Sequence, residues 1–218
     1  MTCLLTNSQV DKIFSTLKKN NPHPKSELTF INDYTFLVAV VLSARTTDVQ
    51  VNKATKALFE RVQTPKQMLA LGFEKLIPYI KSIGLYKNKA KNILALSQIL
   101  VEKYNSKVPA NLDALCALPG VGSKTAKVVL NSLFNKPLIA VDTHVFRVSR
   151  RLGLTNQSTV EKVEADLDKT IPKKWKNNAA HWLVLHGRYV CMARKPLCNK
   201  CIISKECKFF QELNNDNK

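Results

Sequence analysis

The chain has 218 residues, with 34 Lys and Arg against 16 Asp and Glu, so its formal net charge at pH 7 is +18. A hydrophobic content of 45% excludes wholesale disorder, and no apolar run approaches the roughly 20 residues that a membrane helix needs. The excess of positive charge favours a polyanionic partner, nucleic acid before an acidic membrane surface, with a generally basic proteome as the alternative explanation.

Apolar residues recur at helical spacing along nearly the whole chain. One apolar face predicts the first helix, and a similar face predicts a helix over residues 89–103. Thr64 and Pro65 have the residue types of an N-cap and a first helical position. Seven prolines, including Pro78, are expected between helices or at their starts. Only residues 138–141 could pass for a strand, so the sequence predicts an all-α protein. The face of the first helix consists of Val10, Ile13, Phe14 and Leu17.

A glycine pair at Gly120 and Gly122, with Val121 between them, gives the sharpest local signal. Two glycines permit a tight turn, and the exposed amides before a helix N-terminus can hold an anionic oxygen. Helical patterns on both sides predict a helix-hairpin-helix, which can bind DNA phosphates without reading bases. A nucleotide-binding loop would need a preceding strand and a longer glycine pattern. A plain helix C-cap is the other alternative.

Lys124 falls in the first turn of the helix after this hairpin. The positive end of the helix, together with Lys127 one turn later, favours the neutral form of the Lys124 amine. A neutral amine can attack a sugar carbon and form a Schiff base. A simple phosphate contact is the alternative, and the residues alone favour it.

Asp142 precedes the next helical pattern, and taken alone it is best interpreted as an N-cap. The helix from 124 to 134 rises about 15 Å, and residues 135–142 can extend about 26 Å back. Asp142 can therefore return to the level of Lys124. There a carboxylate would stabilise an oxocarbenium-like sugar or assist proton transfer.

Four of the six cysteines lie close together, in the spacing C-x6-C-x2-C-x5-C. The N-terminus has neither a secretory signal nor an Arg-rich transit peptide, so we expect a reducing, cytoplasmic location that disfavours disulfides. The spacing favours an iron–sulfur cluster over zinc, which usually takes two separated close pairs. Cys3 and Cys116 are interpreted as structural or incidental. The four candidate ligands are Cys191, Cys198, Cys201 and Cys207.

The segment between the first and last of these cysteines carries four cations and one acid. Arg194 and Lys195 are adjacent in it, and a loop pinned by a cluster could present them to a phosphate backbone. The alternative is that these cations only make a surface loop soluble.

The hairpin, Lys124, Asp142 eighteen positions later and the cysteine spacing together resemble the endonuclease III family. These are bifunctional DNA glycosylases and AP lyases of base excision repair, in the helix-hairpin-helix superfamily. The likeness runs from about Phe30 to Phe210 and includes Ile83-Gly84-Leu85-Tyr86 and His186-Gly187-Arg188-Tyr189. Each short motif is moderately specific, and the ordered set is highly specific.

The resemblance implies a six-helix barrel domain over residues 26–136 and a second domain, with a [4Fe-4S] cluster, from residues 1–25 and 137–218. In the family an oxidised pyrimidine is flipped out of the duplex. By that likeness Lys124 attacks C1′ from one side of an interdomain cleft, with Asp142 on the other, and β-elimination cuts the strand 3′ of the lesion. Ile83 and Leu85 match the apolar wedge that fills the gap. The likeness also implies a monomer.

The chain departs from the family pattern at two positions. Arg45 stands where the family usually carries Gln after Leu-Ser-Ala, which affects how the orphaned opposite base is contacted. Lys127 stands where many relatives have a neutral residue, which suggests added phosphate affinity.

Two alternative functions remain from the sequence. An adenine glycosylase is disfavoured, because that branch usually lacks the lysine at the position of Lys124 and has an extra C-terminal domain. A non-enzymatic iron–sulfur DNA-binding or redox-sensing module would need neither Lys124 nor Asp142 at this spacing.

Overall fold

The computed structural model of the protein describes residues 5–215, and within this range the regular elements are helical. The all-α prediction is confirmed, and residues 138–141 do not form a strand. Cys3 lies outside the described residues. No helix in the described range is long and apolar enough to cross a membrane. The α-helices are α1 Asn7–Asn20, α2 Asp33–Ser43, α3 Asp48–Arg61, α4 Pro65–Ile80, α5 Tyr86–Tyr104, α6 Leu112–Cys116, α7 Ser123–Phe134, α8 Thr143–Leu152, α9 Val160–Thr170, α10 Lys173–Tyr189 and α11 Lys208–Asn215, with 3₁₀ turns at Cys198–Lys200 and Ser204–Glu206.

Polar side chains define where many of these helices begin. Thr64 accepts a hydrogen bond from the backbone of Gln67, whose side chain bonds back to the backbone of Thr64, and Pro65 takes the first helical position. This capping box satisfies amides that have no partner inside the helix. The predicted start at Thr64 is confirmed.

One proline prediction is wrong, because Pro78 lies inside α4 and not at a boundary. The helix is interrupted earlier, at Gly72, whose φ of 74° and ψ of 171° are not helical. Such a left-handed φ favours glycine. Gly72 therefore supplies the break that the prolines were expected to mark, and the second segment continues through Pro78.

The chain divides into two compact units, and one of them is Ser26–Asn135. It consists of α2 to α7, and α2 is its centre, because nine consecutive residues from Tyr34 to Leu42 are buried. A helix that is apolar all round belongs in a core. Neighbours of α2 include α3, α5 and α7, and α4 packs along α5. Each large apolar side chain buried in this way contributes about 1.5–3 kcal/mol.

The other unit combines the chain up to Lys25 with the chain from Lys136 onward. Phe14 of α1 packs against Trp175 and Trp182 of α10, with ring centroids 6.3 and 6.1 Å away. The indole nitrogens are satisfied by α1 and its end, since Trp175 donates to Asp11 Oδ1 and Trp182 to the carbonyl of Asn21, both at 2.8 Å. This packing attaches the N-terminal helix to the C-terminal part of the chain.

Candidate active site and metal centre

The predicted hairpin lies between α6 and α7, and its apolar residues fix it to the core. Leu118 and Val121 are buried, and the Val121 amide donates to the carbonyl of Leu118 at 3.0 Å. Gly120 has a left-handed φ of 78°, and a Cβ there would lie 2.9 Å from Asn92 Nδ2 on α5. Both the backbone conformation and the space therefore require glycine at residue 120.

Gly122 has a different role, as the N-cap of α7. It is exposed and extended, it provides no side-chain cap, and a Cβ there would meet nothing within 4 Å. The first amides of α7 consequently have no capping side chain in front of them. Such a helix start, with its positive dipole end, suits an anionic oxygen.

Lys124 is the second residue of α7, and its side chain is exposed. Lys127 follows three residues later and is half-buried. The hairpin thus presents one exposed amine directly beside the helix start that favours an anion. A phosphate contact and a nucleophilic attack are both chemically open to such an amine.

Asp142 is the N-cap of α8, which confirms the N-cap interpretation. Its Oδ1 accepts from the amides of His144 at 2.9 Å and Val145 at 2.8 Å. Both cap bonds go to one oxygen, so the second carboxylate oxygen is not part of the cap. The cap fixes the orientation of the carboxylate and leaves its second oxygen able to accept a proton or to interact with a positive charge. Lys124 belongs to the unit 26–135 and Asp142 to the other unit.

The two residues of the predicted apolar wedge differ sharply in exposure. Leu85 is 64% exposed, whereas Ile83 is 1% exposed and belongs to the core. Leu85 is the residue before α5 and has a left-handed φ of 59°. The Leu85 side chain is therefore accessible to a partner, whereas the Ile83 side chain packs in the core and fixes the turn. Arg45 is exposed in the turn between α2 and α3, also with a left-handed φ of 57°.

The four clustered cysteines line a single cavity in the unit that contains α8 to α11. Burial raises the pKa of the Cys201 thiol to about 11 and also raises that of Cys207. Thiols of this kind bind metal as thiolates, so binding of a metal centre would release protons. The buried His186 places Nε2 3.5 Å from Cys201 Sγ, within hydrogen-bonding distance of the thiol. The other walls are mainly apolar and include Leu152, Val190, Pro196, Leu197, Phe209 and Phe210.

Two arginines of α8 hold the cysteine segment, and the sequence reasoning missed both. Arg147 donates to the carbonyls of Gly187 at 2.8 Å and Cys191 at 3.1 Å. Arg151 donates to the carbonyl of Met192 at 2.7 Å and lies 3.5 Å from Cys191 Sγ. The spacing i, i+4 on one helix face was the available signal, because it places both guanidinium groups on the same side.

The basic segment between the cysteines presents its cations outward. Arg194 and Lys195 are exposed, as are Lys200 and Lys205. The acid of the segment, Glu206, is buried and bonds through Oε1 to Lys12 Nζ of α1 at 2.6 Å. Its negative charge is thus directed inward, and the outer surface of the segment is cationic.

Comparisons with known proteins agree with this architecture. Residues 38–173 match the family model of the HhH-GPD superfamily base excision DNA repair proteins. Endonuclease III of Rickettsia prowazekii (strain Madrid E) is 56% identical over 201 residues, which cover 92% of this chain and 95% of that protein. Endonuclease III of Escherichia coli (strain K12) is 50% identical over 202 residues, which cover 93% and 96%.

The chain belongs to the endonuclease III family.

A solved structure of a trapped endonuclease III–DNA covalent intermediate, an estranged-adenine complex, superposes with a TM-score of 0.87. It is 44% identical in sequence, and the match covers 97% of this chain and 100% of that one. The predicted all-α helix-hairpin-helix fold, the family and the enzyme class are confirmed. As a member of the endonuclease III family, the chain is a bifunctional DNA glycosylase and AP lyase of base excision repair.

Proposed function

We propose that this enzyme removes oxidised pyrimidines from duplex DNA and then cuts the strand 3′ of the abasic site, with Lys124 as the nucleophile. The observation that carries the proposal is the exposed Lys124 amine at an uncapped helix N-terminus, directly after a hairpin that can hold a phosphate. The solved relative trapped in a covalent intermediate with DNA supports the same chemistry.

In the proposed reaction the Lys124 Nζ attacks C1′ of the damaged nucleotide while the bond from C1′ to the base breaks. The base leaves with a proton, the sugar ring opens, and a Schiff base remains between C1′ and Nζ. Removal of a proton from C2′ then expels the 3′ phosphate from C3′ and breaks the strand. Hydrolysis of the Schiff base returns the free lysine.

Asp142 serves the same reaction as an electrostatic and proton-transfer group. Its carboxylate is held by two amides through Oδ1, so its second oxygen can act without reorganisation of the side chain. A fixed negative charge stabilises the positive charge that develops on the sugar as the base leaves. The same oxygen can accept or return protons in the elimination step.

DNA binding in this proposal combines contacts to phosphates with the insertion of an apolar side chain into the space that the flipped base leaves. The amides of Gly120 and Gly122 and the Lys127 side chain contact phosphates, and so does the cationic segment with Arg194 and Lys195. The Val121 amide is bonded to the carbonyl of Leu118, so Val121 holds the turn and does not itself donate to a phosphate. Leu85 enters the space of the flipped base, and Ile83 supports it from the core. Arg45 contacts the base opposite the lesion, which it can reach by hydrogen bonding or stacking.

We propose that the cysteine cavity holds a [4Fe-4S] cluster rather than zinc. All four thiols line it, and their spacing C-x6-C-x2-C-x5-C contains one close pair where structural zinc usually takes two. Four thiolates are the ligand set of a cubane cluster, which when bound would pin the basic segment. Broad visible absorption of the purified protein is expected, whereas colourless, zinc-loaded protein would contradict the assignment.

We propose that residues 26–136 form the domain with the barrel and the hairpin, and that residues 1–25 and 137–218 together form the domain with the cluster. We propose a cytoplasmic enzyme that works as a monomer on the nucleoid. The known relatives named above are bacterial, and a [4Fe-4S] cluster held by thiolates suits a reducing compartment.

Borohydride reduction in the presence of abasic DNA tests the nucleophile. Wild type should form a covalent complex, and Lys124→Arg should bind the DNA but trap none, because arginine keeps the charge and loses the nucleophilic amine. Lys56→Arg, the same change at an exposed lysine of α3, is the matched control and should trap like wild type. Trapping by Lys124→Arg at the wild-type rate would show that Lys124 is only a phosphate contact.

A further inference from the structure

Lys89 is a buried lysine that the proposed mechanism does not use. It lies in the first turn of α5 and is only 7% exposed, and burial lowers the pKa of its side chain. Its Nζ donates to the carbonyls of Leu42 at 2.8 Å and Ala44 at 2.7 Å and to Thr46 Oγ1 at 3.2 Å. An ammonium group has three donors, so these three neutral oxygens satisfy it.

The three partners of Lys89 belong to the end of α2 and the turn that presents Arg45. Ala44 and Thr46 flank Arg45 on both sides, and both are bonded to the same ammonium group. Arg45 itself is exposed with a left-handed φ of 57°, which costs a residue with a Cβ roughly 1–2 kcal/mol. A turn of this kind persists only where its surroundings hold it, and the Lys89 ammonium group supplies two of the hydrogen bonds that do so.

The backbone of Lys89 bonds to Leu85, the other exposed residue that is proposed to contact DNA. Its amide donates to the carbonyl of Leu85 at 3.0 Å, which is the first hydrogen bond of α5. Leu85 is left-handed as well, and it is the exposed residue of its turn. One residue therefore braces both turns, through its side chain on the Arg45 side and through its backbone on the Leu85 side.

We propose that Lys89 is a positioning residue that fixes the Arg45 turn relative to Leu85 and so sets how the enzyme distinguishes the base opposite the lesion. The inference rests on the proposed DNA contacts of Arg45 and Leu85. A turn that is ordered before binding adds no ordering cost when DNA arrives. Without the ammonium group, the DNA itself has to order the turn. The distance between Arg45 and Leu85 then becomes variable.

The test compares Lys89→Met with Lys103→Met, a matched change at an exposed position of the same helix. The probes are duplexes with a tetrahydrofuran abasic analogue opposite each of the four bases, and single-stranded abasic DNA for borohydride trapping. Lys89→Met should bind the duplexes roughly 10-fold more weakly. Its dissociation constants for the four opposite bases should also differ less from one another than those of wild type. Trapping on the single strand, where no opposite base exists, should keep its wild-type rate. Lys103→Met should match wild type in both assays.

A double variant shows whether Lys89 acts through Arg45. Lys89→Met combined with Arg45→Ala should bind no more weakly than the weaker single variant, since residues that work as one unit are not additive. Additive losses would overturn the proposal. So would an unchanged opposite-base pattern in Lys89→Met, or an equal loss of trapping on the single strand, which would show a general structural defect.

If Lys89→Met does not fold, Thr46→Val decides the question. It removes one acceptor of the ammonium at nearly constant volume, and it should narrow the opposite-base spread in the same direction by a smaller factor. An unchanged spread in a folded Thr46→Val protein would overturn the proposal. Failure of the proposed function can be distinguished from failure of this inference. If the proposed function is wrong, wild-type protein traps no abasic DNA. The opposite-base preference is measured by binding alone and does not depend on trapping.

Discussion

Replacing Gly120 with alanine should destabilise the protein far more than the same change at Gly122. At residue 120 an alanine would keep a left-handed φ of 78°, at a cost of roughly 1–2 kcal/mol. Its Cβ would lie 2.9 Å from Asn92 Nδ2 and 3.0 Å from Asn92 Cβ. Overlap of this kind costs about 1–3 kcal/mol more. The expected loss in the free energy of unfolding is therefore roughly 2–5 kcal/mol.

Gly122→Ala is the matched control in the same hairpin. Its φ is −87° and a Cβ there meets open space, so the loss is limited to the weaker N-cap, about 0.5–1 kcal/mol. The new methyl group would, however, stand among the amides that contact phosphate, and affinity for duplex DNA should fall.

Thermal unfolding and fluorescence anisotropy with an abasic-analogue duplex separate the two variants. For a chain of this length 1 kcal/mol lowers Tm by roughly 2–4 °C, so Gly120→Ala should lose roughly 4–20 °C and Gly122→Ala no more than about 4 °C. Equal Tm values for the two variants would refute the steric reasoning. Wild-type DNA affinity in Gly122→Ala would refute the phosphate contact.

Three further predictions concern the unit that contains α8. Asp142→Asn should keep the Tm, because the amide oxygen can still cap α8, while single-turnover base release slows by roughly 100-fold or more; an unchanged rate would contradict its catalytic role. Lys12→Met should lower the free energy of urea unfolding by about 1–2 kcal/mol, because it leaves buried Glu206 without its partner; an unchanged urea midpoint would contradict this. A hydrogen bond from Lys174 lowers the pKa of Asp11 below 3.8, so the carboxylate contributes stability above that pH that is lost as the pH falls through the lowered value. The urea-midpoint difference between wild type and Asp11→Asn should therefore shrink from about pH 7 to about pH 3, and a constant difference would count against it.

The helices that the sequence predicts well are those with a local signal at the start. The start of α4 follows from Thr64 and Pro65, and α7 follows from the glycine hairpin and an apolar face. Gly72 could not be predicted as the break in α4, because a glycine inside a helical pattern is usually tolerated at a small cost.

The site was predicted where a motif is local and missed where partners are distant in sequence. The glycine hairpin, Lys124 and the cysteine spacing are all visible within short segments. Lys89 gives no such signal, because its burial depends on the carbonyls at the end of α2, which lie more than forty residues earlier. Ile83 and Leu85 look alike in sequence, and only the left-handed turn at Leu85 decides which of them is exposed.

The central claim is that the Lys124 Nζ is the atom that bonds to DNA. Peptide mapping by mass spectrometry of the borohydride-reduced complex with abasic DNA tests this claim most directly. The reduced sugar should be found on the peptide that contains Lys124, with Lys127 unmodified. A reduced sugar on any other amine, with the Lys124 side chain unmodified in the trapped complex, would contradict the account.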